Sequence, residues 1–131
     1  MYGIFVNENG GVPYAEAIVK GYKPIETRNR NMLGDLVGKR VAIIRTRRNK
    51  SPRIVGYATI EKAFFCEADK FDLYRHMTLI PAGSQYDCHG RGKWMYVMSN
   101  PMPCSPKLLD KSSIIYHGRS WCEFRKGGTN V

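Results

Sequence analysis

The sequence predicts an α+β chain that is mainly β. Three observations lead there. Apolar or alternating runs of strand length recur at 3–7, 25–30, 39–46, 54–65, 93–98, 113–117 and 119–125. Only two stretches, 13–20 and 67–77, read as helix. Turn signals such as Asn9-Gly10-Gly11, Gly34-Asp35 and Asn100-Pro101 punctuate the junctions. A length of 131 residues suits one domain, 1–131, with one ordinary core. Apolar content of 43% against 24% charged is that of a soluble globular chain, and no run reaches the length of a membrane span.

Residues 3–7 form a short apolar strand. In the helix at 13–20, Pro13 suits the first position, Glu16 and Lys20 complement the dipole, and Ala15, Ile18 and Val19 supply the buried side. Gly21 fits the left-handed stop. Pro24 disfavours helix at Lys23, so the chain extends. Along 25–30, Glu26, Arg28 and Arg30 then share one face, with Ile25 and Thr27 on the other. After a loop at 31–38, Val41-Ala42-Ile43-Ile44 makes a buried strand. Residues 45–53 read as a basic hairpin tip or loop. The strand at 54–65 is long enough to bend, and Gly56 suits close backbone approach or a bulge.

In the second helix, 67–77, Phe71, Leu73, Tyr74 and Met77 include the i, i+3 and i+6 spacing of a packed side. The irregular stretch 78–93 is long for a compact domain, and such loops are often functional or mobile. The strand at 93–98 carries Trp94, Tyr96 and Met98 on one side and ends at Asn100-Pro101. Pro101, Pro103 and Pro106 make the next segment extended and edge-like. The last two strands meet at Gly118, and 126–131 is expected to be a flexible tail.

The net charge of +10 is unevenly spread. Residues 20–53 hold eleven Lys or Arg against Glu26 and Asp35, while the remainder is almost neutral. Such a surplus attracts polyanions through counterion release, which favours a nucleic-acid partner; no membrane partner is expected, because no run reaches the length of a span. The cysteines (Cys66, Cys88, Cys104, Cys122) are widely spaced, and Cys88-His89 fits no common zinc pattern. Reduced thiols, no metal and no cofactor are expected. The N-terminus lacks the pattern of a secretion signal, so the expected location is cytoplasmic. Nothing in the pattern sets an oligomeric state.

Gly21-x-Lys23-x-x-Glu26-x-Arg28 resembles the signature of the ASCH domain family, a branch of the PUA-like superfamily. Gly56-Tyr57-Ala58-Thr59-Ile60 and Tyr96-Val97-Met98-Ser99-Asn100-Pro101 extend the resemblance over most of the chain. It implies a partly open β-barrel of five or six strands, two or three flanking helices, and a cleft beside the barrel lined by the signature.

In such a cleft Lys23 and Arg28 would hold a phosphate or base edge, and Glu26 would accept from a base amino group or orient an arginine. Gly21, Tyr22 and Arg30 belong to the same stretch. Arg47, Arg48 and Lys50 of the basic loop would grip backbone phosphates. Of Tyr22, Tyr57, Trp94 and Tyr96, the first candidates to stack on an unpaired base are Tyr22 and Trp94, with half or more of the four as core. Read catalytically, Glu26 is a general base and Lys23 an acid or electrostatic stabiliser.

Related families include an amidohydrolase for acetylated cytidine and ribonucleases. In the amidohydrolase-type pattern a threonine stands where this chain has Glu26, which argues against that chemistry. Binding of RNA, or of a modified nucleobase, is the preferred reading. A ribonuclease or, less favoured, a nucleoside amidohydrolase is the alternative, and an interaction module the third. His89 is the one histidine placed to serve a nuclease; His76 and His117 read as surface or packing residues. Gly90-Arg91-Gly92-Lys93 is not a phosphate loop, because Trp94 stands where Ser or Thr is needed and the upstream glycine is misplaced.

Overall fold

The structure is a computed structural model and describes residues 1–126. Seven strands form one sheet: β1 (Tyr2–Asn7), β2 (Ile25–Arg28), β3 (Arg40–Thr46), β4 (Arg53–Cys66), β5 (Lys93–Leu108), β6 (Ile114–His117) and β7 (Trp121–Phe124). Their order is β2-β5-β4-β3-β1-β7-β6. The helices are α1 (Tyr14–Val19) and α2 (Arg75–Thr78), with three 3₁₀ segments beside them. The fold is therefore α+β and mainly β, a partly open barrel. Seven strands replace the five or six expected, because β6 and β7 extend the sheet past β1 as an antiparallel hairpin.

β3 shows why its apolar run is continuous. Val41 and Ile43 enter the larger cluster with Ile4, Ile18 and Ile60, whereas Ala42 and Ile44 enter a second with Ile54, Ile114 and Phe124. Alternate residues point to opposite faces, and both faces are covered. Burying each of these larger aliphatic side chains stabilises the fold by about 1.5–3 kcal/mol. Gly56 lies at a register shift in β4, where an added Cβ would sit 2.3 Å from the Met102 carbonyl oxygen and 2.7 Å from Val19. The close approach expected of it is thus between β4, β5 and α1.

Two sequence expectations change. The stretch 67–77 is a 3₁₀ segment, Ala68–Tyr74, running into the single turn of α2. The i, i+3, i+6 spacing of Phe71, Tyr74 and Met77 matches three residues per turn, the 3₁₀ period, better than 3.6. Leu73, expected on the packed side, falls off that three-residue period and points out instead, 67% exposed. β5 also does not end at Asn100-Pro101. Those residues form a bulge, with Thr59 opposite Ser99 and Tyr57 opposite Met102, and the strand runs on to Leu108. Its first half pairs with β2 and β4, its second with β4 alone. The prolines fall in that second half, as their missing N–H requires. Lys126 is exposed, and the rest of the tail expected at 126–131 lies outside the described residues.

Candidate functional site

α1 begins without a side-chain cap of its own, since Pro13 precedes it. The buried carboxylate of Glu8, just past β1, takes that role and accepts from the backbone N–H groups of Ala15 (2.9 Å) and Glu16 (3.3 Å). α1 stops at Gly21, whose φ of +85° only glycine adopts without strain. The N–H groups of Tyr22 and Lys23 then close back on the Ala17 carbonyl at 2.9 and 3.0 Å. This tight exit turns Lys23 inward and leaves Tyr22 69% exposed.

Lys23 is 1% exposed. Its ammonium donates to the Thr78 carbonyl, lies 3.6 Å from Glu26 Oε1 and sits 4.9 Å over the Tyr14 ring. Burial pushes it down to about 8, against the pull of Glu26. Glu26, on β2, pairs through Oε2 with Arg28 Nη2 at 3.1 Å and accepts through Oε1 from the Thr27 N–H. Burial raises the Glu26 carboxyl, but Arg28 and Lys23 outweigh it, and its pKa ends below the ordinary value. The same Arg28 nitrogen donates to the Phe5 carbonyl at 2.7 Å. β2 and β1 are four places apart in the sheet order, so this one guanidinium ties the curled edge of the sheet to its middle.

These groups line a cleft of about 500 Å³. Tyr14 and Tyr86 form one wall, edge to face at 5.6 Å between centroids. Lys93 reaches in from the start of β5 and donates to the Tyr86 carbonyl at 2.7 Å; burial lowers its pKa as well. The loop at 79–92 is held in place. Asp87 accepts from Gly83 and Cys88 at 2.7 Å and pairs with Arg75 at 3.0 Å, which keeps its carboxyl far below the usual range. The rim of the cleft comes from late in the chain, through Lys111, Tyr116 and Arg119. The charged lining is thus five cations (Lys23, Arg28, Lys93, Lys111, Arg119) and one carboxylate, Glu26. Such a surface receives an anionic ligand and offers one acceptor for an N–H donor.

The predicted residues divide. Lys23, Glu26 and Arg28 converge on the cleft. Arg30 does not: β2 ends at Arg28, the alternation ends with it, and Arg30 is exposed. Trp94 packs edge-on against Phe65 at 5.8 Å and is not part of the lining. Tyr96 is fully buried, and its hydroxyl bonds Asn31 Oδ1 at 2.8 Å and the Leu33 N–H at 3.2 Å. Tyr57 packs on the second core cluster. Gly21 and Tyr22 shape the turn outside the cleft. Arg47, Arg48 and Lys50 line a different hollow, with Glu8, Asn9 and Pro13, and Arg47 pairs with Glu8 at 3.0 Å.

None of the three histidines lines the cleft, and no three His, Cys, Asp or Glu side chains gather as a metal site among the described residues. Sequence reasoning missed Tyr14, Tyr86, Lys93, Lys111, Tyr116 and Arg119. The one available signal was Lys93, a lysine opening an otherwise apolar strand.

No family model matches the sequence, and neither does any curated protein. Solved structures do. Crystal structures of the ASCH protein of Zymomonas mobilis superpose with a TM-score of 0.70. A tyrosine-to-phenylalanine mutant of that protein is 21% identical, with 95% of this chain and 91% of that chain covered. The unaltered protein and a serine-to-alanine mutant are 20% identical, with 95% and 89% covered. The chain therefore has the ASCH-domain fold. No helix among the described residues is long and apolar enough to cross a membrane.

Proposed function

We propose that this chain, on its ASCH-type fold, binds single-stranded RNA or a nucleotide-like ligand in the cleft built on Lys23, Glu26 and Arg28. The observation that supports it is a single buried carboxylate, paired with two cations, in a hollow whose other charged groups are all positive. A base edge meets both an acceptor and donors there, and the cations attract the phosphates. The tyrosine wall supplies an apolar, aromatic side for a ring.

Binding of labelled single-stranded RNA, followed by fluorescence anisotropy over a salt series, tests this. Affinity falls steeply with salt and is lost in Lys23→Met. No binding at low salt, or binding indifferent to Lys23, overturns the reading.

One observation favours a second reading, hydrolysis of RNA or a nucleoside. With a pKa of about 8, Lys23 exchanges a proton near neutral pH, next to a carboxylate inside a cleft. RNA turnover that Glu26→Gln abolishes while binding persists selects this reading.

A further inference from the structure

We infer that the β6–β7 hairpin gives the cleft a second nucleotide subsite, so that its ligand, if the deep end takes RNA as proposed above, is a single-stranded segment of at least two nucleotides and not a free base or mononucleotide. Tyr116 of β6 is 51% exposed. Its ring lies 12° from parallel to Phe5, with 5.8 Å between centroids. Phe5 stacks offset against the tyrosine ring, and about half of Tyr116 remains exposed to solvent. A flat ring already held in place loses little freedom when a base stacks on it.

Lys111 and Arg119 line the same cleft, and neither has a carboxylate at ion-pair distance among the described residues. The deep cations differ: Lys23 and Arg28 are committed to Glu26. The deep end thus offers base-edge recognition, and the rim offers a stacking face with two cations that have no carboxylate at ion-pair distance among the described residues. That is the chemistry of a neighbouring base and its phosphate. Phe5 joins the two ends, its carbonyl taking Arg28 and its ring backing Tyr116.

The test compares uridine 5′-monophosphate, the dinucleotide UpU and an oligouridine by calorimetry. UpU binds about tenfold more tightly than the mononucleotide, the range expected for one added stack. Tyr116→Ala removes that advantage and Tyr116→Phe keeps it. A thermal melt confirms that Tyr116→Ala is folded. The Lys111→Ala, Arg119→Ala double variant, altered only at exposed positions, flattens the salt slope for the oligomer. Equal affinities for UpU and the mononucleotide, or an unaltered UpU affinity in Tyr116→Ala, overturn the inference while Lys23-dependent oligomer binding leaves the RNA reading standing. If none of the three ligands binds, both fall together.

Discussion

Lys23 and Arg47 are both cations beside a single carboxylate, and both come from the basic quarter of the sequence. Lys23 is 1% exposed and lies between Glu26, the Tyr14 ring and the Thr78 carbonyl. Arg47 has a 44% exposed side chain, and its partner Glu8 is engaged in capping α1. The first pair faces a cleft, whereas the second pins a hairpin tip to the start of a helix. The lesson is that like residue types at like charge density serve two ends. Where water is excluded, a charge needs partners in fixed geometry; where water is present, the pair contributes little and the cation remains available to a polyanion.

The strongest way to break this contrast is Glu26→Ala. It leaves Lys23 and Arg28 buried without their carboxylate, and we expect a loss of about 3–5 kcal/mol in chemical denaturation. A loss near that of an exposed pair would mean the deep site is wetter than its burial implies.

Next in size is the pH response of Lys23. Its folded pKa, about 8, lies below its ordinary value of 10.5, so the unfolded chain binds more protons between those limits. Stability therefore rises from pH 8 to 10.5, and the contribution is lost as pH falls through that window to 8. Anion binding moves oppositely, because deprotonation removes a positive charge from the cleft. Denaturation profiles of the protein and of Lys23→Met check the first sign, the rise above pH 8 being absent in the variant, and RNA binding by the unaltered protein across the same range checks the second.

Glu8→Ala comes third, at about 2 kcal/mol, since it strips two backbone N–H groups of α1 of their acceptor. α1 delivers Lys23, so mononucleotide affinity falls with it. The smallest effect on the deep site comes from removing Arg47, Arg48 and Lys50 together. That triple variant lowers the salt slope for a long RNA by about 2, according to the slope per phosphate contact on single strands, and leaves mononucleotide binding unchanged. A drop in mononucleotide binding would join the two basic regions into one site.

Much of the fold was legible from local chemistry. Pro13, Gly21 and Pro24 each act within a residue or two, so the short helix, its stop and the strand after it derive from them directly. The paired signature was legible for the same reason, as alternation along an extended strand puts Glu26 and Arg28 together. Alternation misplaced Arg30 because it holds only while the chain stays extended. The stacking residues misled for another reason. Trp94 and Tyr96 belong to a strand that pairs on both edges, and sheet packing claims their rings.

By itself, then, the sequence determined the fold class, the turn that delivers Lys23, and the pairing of Glu26 with Arg28, since each depends on backbone preferences over a few neighbours. Only the tertiary structure decided what faces those residues. Tyr86, Lys93, Lys111, Tyr116 and Arg119 lie more than fifty residues away along the chain and enter the cleft because the sheet curls and its last hairpin folds beside β1. Contacts at such separation are set by strand order and curvature, which no local pattern encodes.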